Sequence, residues 1–594
     1  MNDMRQILAR AISPALDAAC PGHPVAEPAV TACQDPRFGD YQSNAAMLAA
    51  AAMKKNPRDL AATLVAALKL EDLCAKVEVA GPGFINFHLL PSRVVAQLSD
   101  MAEDPRHGIA PVAKSRRIVV DFSSPNTAKA MHVGHIRSTF LGDTLARVAR
   151  AVGHEVITDN HVGDWGTQFG MIIHGYKNHL DRAAEKRDPV AEFERLYRLV
   201  SGQAATDEAV RDTARRELAA LHAGDPENLR IWKEIAELSL AEFKKSYDRL
   251  GVAFDHHLGE SFYNPMLGRV VAEFQQLGLA EESEGAVCVF FPNDPGLKDA
   301  APMMIRKTDG AFLYATTDLA TVRFRVHEWK ADEILYVTDA RQQLHFKQLF
   351  AAVTKWAATP ANTLLDGSRP SPALRHIVFG SILGEDKKPI KTRSGDPIKL
   401  TDLLDEAEAR ALKILVEKNP SLPAETKAVA ARVIGIGAVK YADLSQNRNL
   451  DYVFDWKKLL ALQGNTAPYL VYAYVRIRSI FRQSGSFSVG QPLHAERGAN
   501  RPPLSFSHDA ELVLAKKLIQ FGDAVHSVLD DARPHLLASY LYDLSTRFSQ
   551  FYEACPVLKA PEPERATRLL LCDLTARTLQ RGLGLLGIET IEEM

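Results

Sequence analysis

Residues 118–143 read IVVDFSSPNTAKAMHVGHIRSTFLGD, and the reading of this stretch decides the fold. It opens as a short apolar run with β-branched residues (117–122), the composition of a buried strand. Pro125 and Asn126 break that run, and a polar loop leads into His132, Val133, Gly134 and His135. From Ile136 the apolar period becomes helical: Ile136, Phe140, Leu141, Leu145, Val148 and Ala149 share a face. Strand, tight polar loop and helix form the unit by which an open α/β sheet offers a ligand site at the carboxyl ends of its strands. Gly134 removes the side chain where a flat ligand must approach the backbone. The helix N-terminus adds partial positive charge and Lys129 a full one, so the loop suits an anion. Imidazoles can donate to phosphate oxygens, and such donors catalyse most where charge develops in the transition state. Taken alone, two histidines capping a helix on a wet surface explain the pattern at least as well. The loop is neither a P-loop nor a dinucleotide fingerprint, since both need glycines it lacks.

The rest of the composition sets bounds. A chain of 594 residues suggests roughly three to four domains with ample cores. A formal charge of −2 neither points to nucleic acid nor excludes it. The cysteines (Cys20, Cys33, Cys74, Cys288, Cys555 and Cys572) are scattered without a CxxC, which argues against structural zinc and for a reducing compartment. The first residues read as an amphipathic helix, not a signal peptide, and no apolar run reaches the roughly 18 residues of a membrane span. The expected location is the cytoplasm.

In order along the chain, residues 1–115 form a first module with helices over 4–16, 44–70 and 93–102, and an alternating segment over 76–90 around a Pro-Gly turn. Within GPGFINF, Phe84, Asn86 and Phe87 are read as a hairpin with core aromatics, or as a surface for an unstacked base; Asn86 is the better candidate for RNA. A second core strand over 155–158 ends in DNHVGDWGTQFG, where Asp159, Asn160, His161, Asp164 and Gln168 crowd the same edge. Residues 176 to about 300 interrupt the sheet with charged helices, and His256 and His257 there are read as structural. Further strands over 333–337 and 375–379, with helical runs between, make a doubly wound, largely parallel α/β sheet the expected core. KKPIKTRSG (387–395) is either a solvated loop or a set of mobile cations for a phosphate leaving group. From residue 401 to 594 only helical stripes remain, interrupted by a Gly-, Ser- and Pro-rich stretch over 484–507, so a helical bundle is expected.

SSPNTAKAMHVGHIRSTFLGDTLAR followed by NHVGDWGTQFG closely resembles the signature of the arginyl-tRNA synthetases, whose catalytic core is Rossmann-like. The resemblance continues through AFLYATTDLA, YVTDARQQLHFKQLF, GEDKKPIKTRSGDPIKLTDLLDEA and YADLSQNRNLDYVFDW. It implies an amino-terminal extension (1–115) gripping the outer corner of tRNA, a catalytic domain (116–400) with a connective insertion (176–300), and a helical anticodon-binding domain (401–594). It implies arginine, ATP with Mg²⁺ and tRNA(Arg) as partners, with neither membrane nor DNA, in a monomer. His132 and His135 are expected to stabilise the transferring phosphoryl group. Lys391 is expected to neutralise pyrophosphate, and Lys129 to replace the second lysine that KTRSG lacks. Gly134, His345, Lys387, Lys388 and Arg393 join the ATP site. Ser123, Asn126, Tyr314, Asp318 and Gln342 are expected to line the arginine site, although Asp318 can equally cap a helix N-terminus. Phe84, Asn86, Tyr469, Tyr472 and Arg476 are the RNA candidates; Tyr474 and Arg478 extend the same helical array of rings and cations. The rival expectations are a non-enzymatic RNA-binding regulator on a synthetase scaffold and a small-molecule nucleotidyltransferase.

Overall fold

Four parallel strands carry the histidine loop. They are β1 (Arg117–Asp121), β2 (Glu155–Asp159), β3 (Glu333–Tyr336) and β4 (Ala373–His376), in the order β4-β3-β1-β2. The computed structural model describes residues 4–21, 28–33, 35–361, 364–365, 369–388, 390, 398–484 and 504–594. From β1 the chain crosses to β2 on one side, then returns to place β3 on the other. The direction of winding therefore reverses between β1 and β3, which opens a crevice at their carboxyl ends. Ile118, Val119 and Val120 are buried as expected of a strand covered on both faces.

The helix after the histidines runs Ile136–Ala151, and all six stripe residues are buried. So are Arg137, Ser138, Thr139, Asp143 and Thr144 on its other sides. It is not a surface helix, because the carboxyl-terminal bundle covers its outer face. Gly142 allows its close approach to the sheet, since a Cβ there would lie 2.1 Å from Phe122 Cγ.

The insertion is helical as its charge pattern suggests, and its longest helix spans Pro226–Leu250. A small antiparallel sheet (Glu281–Ser283, Ala286–Val289, Met303–Arg306) leads back to helix Tyr314–His327 and then β3. The amino-terminal module contains an antiparallel sheet in which Cys74–Ala80 and Phe84–Leu89 form the expected hairpin. The helix expected over 44–70 is instead two, Ala45–Met53 and Pro57–Ala67. Lys54 turns left-handed (φ 55°), and Asn56 Oδ1 accepts the Arg58 N–H to begin a new helix with Pro57 at its first position. Asn86 corrects another expectation: it is 1 % exposed, set between Gln42 and Glu78 in the sheet, and offers no surface to RNA. Phe87 is core, while Phe84 at the hairpin mouth is half-buried.

The bundle comprises Leu400–Lys418, Ala424–Leu444, Ala467–Ser484, Asp509–Ile519, Phe521–Asp531, His535–Ala554 and Glu564–Leu585. The bundle's helical run breaks at Gln520, where the first module's linker crosses; a Cβ on Gly522 would lie 2.2 Å from the Gly108 carbonyl oxygen. The first module docks here. Tyr41 donates to Asp523 at 2.9 Å, Lys516 pairs with Asp40 at 2.9 Å, and His107 meets Thr578 at 2.8 Å. The bundle also grips the catalytic sheet. Arg137 Nε lies 2.7 Å from Asp443 and its Nη1 donates to the Leu450 carbonyl at 2.9 Å, between the rings of Phe379 and Tyr452.

Candidate active site

The loop after β1 is strained and then held. Ser123 (φ 72°), Ser124 (φ 48°) and Ala128 (φ 60°) all take the left-handed conformation that side chains disfavour. Such residues persist where neighbours over-determine them. The Ser123 N–H donates to Ser138 Oγ at 2.8 Å, that of Ser124 to Asn160 Oδ1 at 3.0 Å, and that of Ala128 to Ser239 Oγ at 3.0 Å.

The two histidines then lie ring against ring, with centroids 4.0 Å apart. His132 Nδ1 accepts the Gly134 N–H at 3.0 Å, and His135 Nδ1 accepts the His132 N–H at 3.1 Å. An Nδ1 that accepts leaves the proton of a neutral ring on Nε2. Burial pushes both rings below the ordinary imidazole range, His135 to about 3. At neutral pH the loop therefore presents two uncharged Nε2–H donors. Gly134 has a sharper role than ligand clearance: a Cβ there would lie 2.7 Å from His132 Cε1 and force the ring out of place.

A cavity of about 590 Å³ opens at the winding reversal. Ser123, Asn126, His132, Gly134 and His135 line it from the β1 side, and Gln342 from the turn after β3. Several other expected residues are elsewhere. Lys129 Nζ sits 5.4 Å from the centre of the Tyr197 ring in the insertion, outside the cavity lining. Lys387 and Lys388 are exposed on a turn closed by Lys387 N–H to the Gly384 carbonyl at 2.9 Å. Lys391 and Arg393 lie outside the described residues.

Asp318 is not a helix cap. The helix begins at Tyr314, and the Asp318 carboxylate one turn inside it lies 2.5 Å from His345 Nε2. His345 is thus tied to Asp318 and is absent from the lining of the cavity beside the histidine loop. Burial works against its charged form, but the Asp318 carboxylate outweighs it and raises its basicity. Near Asp318 is a residue that sequence reasoning missed. Burial, with the neighbouring charges of Asp164 and Asp318 adding and His161 opposing, pushes the Glu260 carboxyl up to about 7. Burial and then Glu260 also raise the phenol of Tyr314, a residue 71 % exposed. Asp318, Glu260 and Tyr314 are thus neighbours that form an acidic cluster. Its only sequence signal was a carboxylate following glycine in GESFY, where Gly259 leaves room for Asp164, 2.5 Å from a Cβ there. Arg325 was also missed. Fully buried, it joins the carboxylates ending β1 and β2, Asp121 at 2.7 Å and Asp159 at 2.8 Å.

Among the RNA candidates, Tyr472 is 41 % exposed and stacks under Arg476, whose guanidinium is 4.9 Å from the ring centre. Tyr472 borders a second cavity of about 390 Å³, shared with Lys418, Ile434 and Met594. Tyr469 packs edge-on against Tyr542. Tyr474 is buried, its hydroxyl 3.3 Å from Glu592, and Arg478 pairs with Glu592 at 2.5 Å. Val471 is wholly buried and cannot meet RNA directly.

The parallel sheet, the winding reversal and a pair of histidine donors above it are the attributes of the class I tRNA synthetase catalytic core. The family profile described as tRNA synthetases class I (R), catalytic domain, matches residues 99–456. An arginyl-tRNA synthetase N-terminal domain profile matches residues 2–89, and a DALR anticodon-binding domain profile residues 470–594. The arginine–tRNA ligase of Synechococcus sp. is 45 % identical over 579 residues, covering 96 % of this chain and 95 % of its own. That of Laribacter hongkongensis is 44 % identical over 596 residues, covering 100 % of both. The arginyl-tRNA synthetase structures from Plasmodium falciparum and Thermus thermophilus superpose over 100 % of both chains with TM-scores of 0.81, at 27 % and 26 % identity. The chain belongs to the arginyl-tRNA synthetases.

Proposed function

We infer that the chain joins arginine to its tRNA in two steps. The arginine carboxylate attacks the α-phosphate of ATP, forming arginyl-adenylate and releasing pyrophosphate; the terminal adenosine of the tRNA then takes the arginyl group and AMP leaves. The observation that carries this reading is the pair of neutral Nε2–H donors on the cavity wall. Uncharged donors held in place by backbone bonds need little reorganisation as negative charge shifts onto phosphate oxygens. No side chain need act as general base, because the substrate carboxylate is already a nucleophile. Mg²⁺ would enter with ATP, and Lys391 would add positive charge beside the leaving group.

Arginine's guanidinium is planar, always charged and rich in donors. The acidic cluster of Asp318, Glu260 and Tyr314 supports its binding there, with Ser123, Asn126 and Gln342 nearer its amino and carboxylate end. The helical region from residue 401 would hold the anticodon, using Tyr472 and Arg476 beside the second cavity, and residues 1–115 the outer corner of the tRNA. All six cysteines are unpaired, consistent with work in the reducing cytoplasm, and the modules complete one another within a single chain, consistent with a monomer.

The test is ATP–pyrophosphate exchange with arginine, with and without tRNA. His135→Ala should lower the exchange rate by about a hundredfold while leaving the arginine KM near the parent's. Equal exchange rates in variant and parent would withdraw the histidine assignment. Exchange with lysine matching that with arginine would withdraw the assignment of the acidic cluster to the guanidinium.

A further inference from the structure

At Ser123 and Ser124 the loop is braced from the insertion by the phenol of Tyr247. Tyr247 lies in the last turn of helix Pro226–Leu250, buried, with its ring edge-on to Phe254 at 4.9 Å. Its hydroxyl is 2.8 Å from Ser123 Oγ and accepts from Asn160 Nδ2 at 3.1 Å. Asn160 in turn holds the Ser124 N–H through its Oδ1. One oxygen therefore touches both supports of the two left-handed serines: the first through its side chain, the second through the amide that bonds its backbone.

The bonding directions make the phenol more than a filler. The Asn160 amide uses a lone pair of the phenol oxygen, so the phenol's one proton is available for Ser123 Oγ. Thr139 Oγ1 lies 2.9 Å from the same Oγ and donates to the His135 carbonyl at 2.8 Å. Ser123 is thereby oriented between Tyr247 and the backbone of a catalytic histidine. The turn bearing Tyr247 is itself pinned. Lys440 from the bundle donates to the Leu250 carbonyl at 2.5 Å, and Arg147 donates to that of Gly251 at 2.6 Å.

We propose that Tyr247 is a positioning residue of the arginine-activation reaction, acting through Ser123 and Asn160 to fix the loop after β1 against the bound amino acid. It makes no contact with substrate itself. The proposal rests on the reading that Ser123 lies against arginine, and the experiment separates the two. Tyr247→Phe, Ser123→Ala and the double variant are compared in pyrophosphate exchange, with melting temperature and tRNA affinity measured alongside.

Tyr247→Phe keeps the ring and its packing, so its tRNA affinity should match the parent's and its melting temperature should fall by no more than a few degrees. Its arginine KM should rise about tenfold, the scale of one lost buried hydrogen bond, with the ATP KM unchanged. Ser123→Ala should show the same split, and the double variant should be no worse than the weaker single one. A parental arginine KM in Tyr247→Phe, with a raised one in Ser123→Ala, overturns the proposal and leaves the Ser123 reading standing. A parental KM in Ser123→Ala removes that reading and the proposal with it. Additive losses in the double variant would show that Tyr247 works by another route, which also overturns the proposal.

Discussion

Protonation state decides what the two histidines can do. A histidine acting as a cation would lose its effect as pH rises through the ordinary imidazole value, whereas a neutral Nε2–H donor would not. With His135 depressed to about 3, the exchange rate should stay flat from about pH 6 to 8 as far as this ring is concerned. A fall in rate as pH rises through about 6.5 would contradict the neutral-donor reading. In stability the ring works the other way. The unfolded chain takes up the proton first, so burying neutral His135 makes the fold progressively less stable below about pH 6.5 until its own value is reached. Glu260 has the opposite sense. A carboxyl raised to about 7 costs stability as pH rises from its unfolded value through 7, and an arriving guanidinium should draw its proton off. The arginine KM should accordingly fall as pH increases from 6 to 8, and Glu260→Gln should flatten that dependence. A KM for arginine independent of pH in the parent would remove Glu260 from the arginine site.

Elements were legible where a local period or turn residue set them. The change from strand to helical pattern at Ile136 and the Pro-Gly hairpin before Phe84 both lie in short stretches of chain. Breaks imposed from a distance were not legible: the helix stop at Gln520 exists because the backbone at Gly108 crosses there. The stop at Lys54 was readable in principle, since Asn56-Pro57 is a cap followed by a first-position proline, but a run of alanines masked it. The histidine loop could be read because its residues are adjacent in sequence. Glu260 could not, because it meets Asp164 and Asp318 only after folding, and Asp318 itself was named through the family resemblance alone. Two glycines separate stability from chemistry at this scale. Gly142→Ala must push Phe122 off the sheet, so it should cost about 1–3 kcal/mol in denaturant unfolding. Gly134→Ala displaces only the His132 ring on an exposed turn, so its melting temperature should stay near the parent's while exchange falls at least tenfold. The reverse ranking in the two assays would mean that the close approaches at these glycines have been misjudged.

Across the whole molecule, a buried ion pair joins the catalytic domain to the bundle. Arg137 and Asp443 are both almost wholly buried, and each would be an uncompensated charge without the other. Asp443→Ala should therefore destabilise the protein by about 3–5 kcal/mol, and Arg137→Met with Asp443→Leu should recover much of that loss. Chemical unfolding of the three variants decides this; a single replacement as stable as the parent would show that the pair does not join the halves.

The docking of the first module on the bundle has a consequence for how the protein is made. Tyr41 and Asp523 are 482 residues apart, and His107 and Thr578 are separated by 471. A ribosome adding roughly 5–20 residues per second needs on the order of half a minute or more to cover that distance. For that time the module is outside the exit tunnel without the surface that covers Tyr41 and Asp40 in the finished molecule. Stalled nascent chains ending before Asp523 should be cut by protease in the first hundred residues, and released full-length chains should resist. Equal resistance in both would mean that the module closes its own face. A chain that supplies charged tRNA to ribosomes thus keeps its own opening segment waiting until nearly the last codon has been read.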